Sequence, residues 1–336
     1  MAASRRATAG ILCNKAVARL TGRMWGNVGT WSKLARSVRA FRRELLRAPQ
    51  MPPAPITDVK LGLALGGGFA RGLAHIGVLK VLEEEHIPIS FIGGTSVGAV
   101  IGAAYASGVS AKELEEIAAL VRFRDFARWT LSRFGFASND RMQGFLDRIL
   151  KVRTFEECRL PLAVTATDFA TGDGVVFTSG PLCEAVRASC AYPGMFLPVN
   201  VNGRLLVDGM LAHAVPTSPL RDMGASKVLA VYLSAHWTNL NGPRHVFDVI
   251  GQCFSIAQAK MCGLWQSAAD LVIEPDVRGF SYDGFERAPE LIEAGEIAIR
   301  AVLPQMKQWF AESVVQASLK PAAKPASTTP QHVPAA

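Results

Sequence analysis

Leu61-Gly62-Leu63-Ala64-Leu65 runs straight into Gly66-Gly67-Gly68-Phe69-Ala70-Arg71-Gly72, and this junction decides the reading of the fold. A short apolar run bounded by glycine reads as a buried strand, here residues 59–65. Beyond the glycines, Leu73, Ile76, Leu79 and Leu82 fall on one face of a helix, predicted over 70–86. The pattern then repeats. Residues 89–93, with Ser90-Phe91-Ile92-Gly93, read as a second strand, Gly94-Thr95-Ser96-Val97-Gly98 as a turn, and 97–107 as a second helix. Strand–turn–helix alternation predicts a parallel, doubly wound α/β sheet.

Later strands are expected at Leu162 to Thr167, Val175 to Thr178, Leu205 to Val207 and Val228 to Leu233, and a last amphipathic helix over 285–310. Ser110-Ala111-Lys112-Glu113 is a capping box that opens a further helix. The aromatic-rich stretch 122–150 reads either as helix core or as a cap over the site.

Two glycine-framed turns at the carboxyl ends of adjacent strands suit an acyl-transfer site, because open α/β sheets keep their sites there. A serine hydroxyl is a poor nucleophile without geometry and a base. Gly94 and Gly98 let the chain turn sharply and hold Ser96 outward, with the N-terminus of the next helix favouring negative charge. The motif alone is also compatible with a plain turn carrying an exposed serine. The Gly66–Gly72 loop reads as an oxyanion cradle or as a dinucleotide site. The second wants an acidic residue at the end of the next strand, where this chain has Ile92-Gly93-Gly94 and then Ser96, so the cradle is preferred. For the base, Asp208 follows Leu205-Leu206-Val207 at another strand end, although Asp208-Gly209 is equally the sequence of a simple turn. A Ser-His-Asp triad would instead draw on His213, with His75 and His236 as weaker candidates.

At these residues the chain resembles the patatin-like phospholipase family, in its bacterial branch related to neuropathy target esterase. The resemblance rests on Gly66 to Leu79, Gly94 to Ala99, Ala166-Thr167-Asp168, Ala188 to Pro198 and Val207-Asp208-Gly209. It implies a three-layer α/β/α fold with a mainly parallel central sheet and a Ser–Asp dyad, with Ser96 as nucleophile and Asp208 as base. It further implies an oxyanion hole from Gly66, Gly67 and Gly68 supported by Arg71, a structural role beside the dyad for Ala188 to Pro198, and no metal or cofactor. The implied activity is hydrolysis of fatty-acyl esters in phospholipids, lysophospholipids or acylglycerols. The chain departs from the family where Met210 follows Asp208-Gly209 in place of a small residue, which is expected to crowd the aspartate or narrow the acyl pocket. A non-catalytic lipid- or protein-binding module on the same fold is the alternative.

Composition sets the frame around that domain. Apolar residues make up 49% of 336 and the net charge is +8. Residues 1–50 hold eleven Lys/Arg against the single acid Glu44, so the basicity belongs to that segment and not to the site. No nucleic-acid partner is expected. Trp31, Leu34, Val38, Phe41 and Leu45 form one helical stripe, with Lys33, Arg36, Arg39 and Arg43 off it. Such a segment suits an anionic membrane surface through residues 15–47, packing on the main domain, or an organelle transit peptide. The expected organisation is a basic amphipathic segment at 1–48, a Pro-rich linker at 49–58, a hydrolase domain at 59–312 with its core motifs at 61–222, and a disordered tail at 313–336. The six cysteines lack metal-ligand spacing and read as reduced thiols. With no secretory signal and no apolar run long enough to span a bilayer, the expected location is cytoplasmic, peripheral at a membrane.

Overall fold

The computed structural model describes residues 59–126, 128–132, 135–234, 246–281 and 283–319. The basic stripe at 31–45 and the linker at 49–58 lie outside the described residues. The chain forms β1 (Leu61–Leu65), a 3-10 turn (Phe69–Leu73), α1 (Ala74–Glu84), β2 (Phe91–Thr95), α2 (Val97–Ala106) and α3 (Ala111–Leu120). A hairpin of β3 (Arg128–Ser132) and β4 (Gly135–Ser138) precedes α4 (Asp140–Ile149). Then come β5 (Leu162–Asp168), β6 (Gly174–Phe177), α5 (Leu182–Ser189), β7 (Val199–Val201), β8 (Arg204–Asp208), α6 (Thr217–Asp222) and β9 (Lys227–Val231). The described chain closes with α7 (Val246–Gln266), β10 (Leu271–Ile273) and α8 (Ala288–Leu319).

The main sheet has the order β10-β9-β1-β2-β5-β8-β7, with β6 also on β5. β10, β9, β1, β2 and β5 are parallel, whereas β6 and β8 run antiparallel to β5. β1 shows why the sheet carries two layers of helices. Leu61, Leu63 and Leu65 join the large core cluster with residues of α1, α2 and α8, and Ala64 faces the opposite cluster with Leu220 of α6 and Trp265 of α7. Both faces are therefore dry, as a parallel sheet requires. The outcome is a three-layer α/β/α fold with a mainly parallel sheet.

Several expected boundaries move. The first helix does not start at residue 70, because the chain leaving Gly68 first tightens into the 3-10 turn, with Phe69 at φ 52°. β2 extends through Gly94 and Thr95, so the turn proper begins at Ser96. The last helix runs on to Leu319 and overlaps the start of the tail expected at 313; residues 320–336 lie outside the described residues. The capping box at Ser110 and Glu113 is present, both partners bonded. Among the described residues the five cysteines are free thiols, no helix is long and apolar enough to cross a membrane, and no His/Cys/Asp/Glu group could hold a metal.

Candidate active site

The pairing of β5 brings the site together. β6 pairs with Val164 to Thr167, β2 with Leu162 to Thr165, and β8 with Ala166 to Asp168. A strand has only two edges, so β2 and β8 must share the edge opposite β6. They run in opposite directions along it and meet end to end, with Thr95 opposite Thr165 and Asp208 opposite Ala166. Ser96 is the next residue after Thr95. Its hydroxyl donates to Asp208 Oδ2 at 2.8 Å across 112 residues of sequence.

Both partners are held from several sides. Ser96 sits at φ 56°, ψ −123°, a conformation that a β-carbon disfavours and that persists only where the surroundings impose it. Its backbone N–H donates to Ser189 Oγ at 2.8 Å, and the Asp208 N–H donates to the Ala191 carbonyl at 3.0 Å. Two positions just two residues apart, where α5 ends, therefore brace both Ser96 and Asp208. Beneath them Thr95 Oγ1 and Thr165 Oγ1 share a 2.7 Å hydrogen bond, and Thr167 Oγ1 donates to the Asp208 carbonyl at 3.0 Å. Arg204 Nε donates to Asp168 Oδ2 at 2.7 Å, clamping β8 to β5 and holding the Asp168 carboxyl below the usual carboxylate range. Ser189 lies in the stretch Ala188 to Pro198 for which the resemblance implies a structural role here, whereas this threonine layer is not signalled in the sequence. Hydroxyls and small side chains in a buried strand carry no periodic signal of their own.

Asp208 is 1% exposed. Burial raises its pKa to about 7, against the smaller opposing effects of the Met210 N–H on Oδ1 (2.9 Å) and of the Ser96 hydroxyl. A carboxyl so placed takes up and gives back a proton near neutral pH. Cys190 is buried beside the pair, and desolvation together with the Asp208 charge pushes its thiol well up.

The glycine loop lies against the serine, since a β-carbon on Gly67 would stand 3.3 Å from Ser96 Cβ. Its amides are not equivalent. Gly66 N–H continues the sheet ladder to the Val231 carbonyl at 3.1 Å, and Gly67 N–H reaches the Ala214 carbonyl at 3.3 Å. Of the three glycines expected to cradle an oxyanion, only Gly68 has no carbonyl partner for its N–H among the described residues. The place of Gly66 at the strand end commits its amide to β9. Arg71 is buried behind the loop, which lowers its pKa, with Tyr192 and Tyr232 among its electrostatic neighbours. Gly94 and Gly98 occupy positions where a β-carbon would strike backbone, 2.5 Å from the Gly98 carbonyl oxygen and 2.2 Å from the Leu65 carbonyl oxygen respectively.

The histidines stand apart. His75 is fully buried, and its Nε2–H donates to the Gly66 carbonyl at 2.8 Å; burial lowers its pKa to about 4, so it steadies the loop as a neutral ring. The His213 ring packs against Gly174, while its carbonyl accepts from Thr95 Oγ1 at 2.8 Å. His236 lies outside the described residues. Met210 neither displaces Asp208 nor joins the residues that line the cavity before Ser96. Its side chain covers Gly67, so close that a β-carbon there would meet Met210 Cγ and Sδ at 2.5 Å.

In front of Ser96 opens a cavity of about 780 Å³ including its mouth, walled by α2, α3 and α4 and by Phe69, Cys190, Phe196 and Phe285. Phe126 and Phe145 from the aromatic-rich stretch form part of this wall. Apart from the serine hydroxyl, the Cys190 thiol and the Met142 thioether, the lining side chains are hydrocarbon.

Comparison with known proteins finds similarity over the same region of the chain. Residues 63–221 match the model of the family described as patatin-like phospholipase. An NTE family protein of Mycobacterium bovis is 36% identical over 190 residues, covering 52% of this chain and 49% of that protein. The lysophospholipase NTE1 of Mycosarcoma maydis is 30% identical over 236 residues, covering 67% of this chain and 12% of that protein. The chain thus spans about half the length of the first relative and a small part of the second. Among solved structures, VipD from Legionella pneumophila aligns with a TM-score of 0.43 and 12% identity, covering 74% of this chain and 67% of that one.

Proposed function

We propose that this chain, whose residues 63–221 belong to the patatin-like phospholipases, is a serine esterase that hydrolyses fatty-acyl esters of phospholipids, lysophospholipids or related lipids. The observation that carries the reading is the 2.8 Å hydrogen bond from Ser96 to a buried carboxyl at the mouth of a hydrocarbon-lined cavity. Ser96 Oγ attacks the ester carbonyl while Asp208 takes its proton. The oxyanion forms against the Gly68 amide, joined by Gly67 as its long bond to Ala214 yields. Asp208 returns the proton to the departing alcohol. It then deprotonates the water that attacks the acyl-enzyme and hands that proton to Ser96 Oγ as the Oγ–acyl bond breaks and the fatty acid leaves. The match to the patatin-like phospholipase family model and the similarity to the lysophospholipase NTE1 support lipid as the substrate class.

The test is covalent labelling by a fluorophosphonate. Wild-type protein is expected to take up one label on Ser96, and Ser96→Ala to take up none and to lose about 10⁶-fold in turnover of a short-chain p-nitrophenyl ester. Equal labelling of both proteins would remove the serine from the mechanism.

We further propose that residues 15–47 dock the enzyme on anionic bilayers. The support is the run of Lys and Arg beside a Trp- and Phe-bearing apolar stripe, the composition of an interfacial helix. Co-sedimentation with phosphatidylserine vesicles should weaken as salt rises and fall on deletion of residues 1–50. Unchanged co-sedimentation of the truncated protein refutes the role.

A further inference from the structure

The cavity before Ser96 has a measurable length. It runs beside α2, whose contributions Val97, Val100, Ile101 and Ala104 are one helical stripe of two turns starting at the serine. α3 is joined to α2 by the short connection 107–110 and so packs back along it. Its stripe, from Leu114 to Val121, also spans two turns. The next position on the α2 face after Ala104 is Ser107, and there the apolar lining stops. Ser107 Oγ donates to the Ala104 carbonyl at 2.6 Å and accepts the Lys151 N–H at 3.2 Å. Lys151 Nζ bonds the Gly108 carbonyl at 3.1 Å and Glu113 Oε1 at 2.8 Å. Glu113 in turn accepts from Ser110 N–H at 2.7 Å. A hydrocarbon chain entering from Ser96 therefore meets a knot of satisfied polar groups after two turns of helix.

We propose that this channel is a chain-length ruler that makes the enzyme selective for medium-chain acyl esters, a reading that rests on the esterase function above. Seven residues at 1.5 Å rise give about 10.5 Å of channel. An extended alkyl chain built on ~1.5 Å bonds advances roughly 1.25 Å per carbon, so about eight carbons beyond the ester carbonyl fill it. Octanoyl and decanoyl chains bury all their methylenes, each contributing about 0.8 kcal/mol. Palmitoyl and oleoyl chains leave their ends outside, since passing this end would break the buried Ser107 hydroxyl away from the Ala104 carbonyl and the Lys151 N–H. Ala104 and Ala118 set the bore, because a larger side chain at either fills the channel about halfway or further along its length.

The experiment has two arms. In the first, kcat/KM is measured for butyryl, octanoyl, decanoyl and palmitoyl p-nitrophenyl esters held below their micelle concentrations. The wild type should peak at octanoyl to decanoyl. In Ala104→Leu and Ala118→Leu the decanoyl-to-butyryl ratio should fall about tenfold or more, a ratio that is independent of the fraction folded. In the second arm, free fatty acids compete with a fluorescent fatty acid on Ser96→Ala protein. Affinity should rise with length and level off near decanoate. Palmitoyl preferred over decanoyl, affinity still climbing through stearate, or ratios unmoved in both variants overturns the ruler. Levelling affinity with no ester turnover by the wild type instead overturns the esterase reading and leaves the channel length standing.

Discussion

Asp208→Asn should lower kcat by about 10²–10⁴-fold, the usual contribution of a positioned general base, and erase the acidic limb of the pH profile. The substitution preserves shape. The carboxamide oxygen keeps the Met210 N–H, and the new amide nitrogen faces the Ser96 hydroxyl, so the loss isolates the proton acceptor. In the wild type only the ionised carboxyl accepts a proton, and burial places its pKa at about 7. The rate kcat/KM should therefore climb with pH through about 7 and then flatten. With lipid filling the cavity and excluding water, the corresponding limb of kcat should move further up. Stability must change in the opposite sense. An unfolded aspartate gives up its proton near pH 4, whereas Asp208 holds its proton to about 7 in the folded protein. Between these values the folded state binds the extra proton, so stability falls as pH rises across the window and stays lowered above it. A carboxamide never ionises. The variant should be more stable than the wild type at about pH 8, by on the order of 4 kcal/mol, and little different at about pH 4. Rate profiles and thermal melts of both proteins at the two pH values check each half. A variant that keeps the acidic limb would show that another group is the base.

Gly98→Ala should be among the most damaging single-methyl additions in the domain. In the first turn of an exposed helix the change would stabilise by about 1 kcal/mol through propensity. Here the new β-carbon falls 2.2 Å from the Leu65 carbonyl oxygen and 2.8 Å from that of Gly66. Both obstacles are backbone at the end of the central strand, and neither can rotate away. Relief requires α2 to lift from β1, which costs on the order of 3 kcal/mol. It also draws Ser96 away from the glycine loop, where a misplacement of about 1 Å costs about 100-fold in rate. Gly102→Ala is the internal control. One turn further along the same helix, its nearest neighbour is the Ile92 side chain at 3.0 Å, which can yield. Melting temperature and turnover should collapse together in the first variant and stay near wild type in the second. Equal tolerance of both would mean that the helix does not depend on this contact.

The site is more legible in the sequence than its surroundings are. Ser96 and Asp208 each lie where an apolar run ends in glycine, and that local signal survives without knowledge of the partner. Leu61 to Leu65 and Val228 to Ala230 are readable for the same reason, as both faces of those strands are buried. β7, β10 and the hairpin of β3 and β4 escape prediction; the first two are only three residues long, too short for a period to register. α7 escapes it because its composition is nearly uniform. Val249, Ile256 and Leu264 are exposed while Trp265 and Gln258 are buried, so inner and outer faces differ little in polarity. The spent amide of Gly66 is equally invisible, since glycine codes for a conformation and not for the hydrogen bond that its N–H makes. Met210 stands out in the sequence as a departure, but which neighbour it covers is a tertiary fact.

The head-on meeting of β2 and β8 on one edge of β5 has a consequence for biosynthesis. A growing polypeptide that has emerged only as far as the elbow carries an inert alcohol, as harmless to membranes as any surface serine. Under the proposed mechanism the serine would gain its base only after the returning strand docks, so an esterase arranged in this way would stay inert until its own assembly is complete.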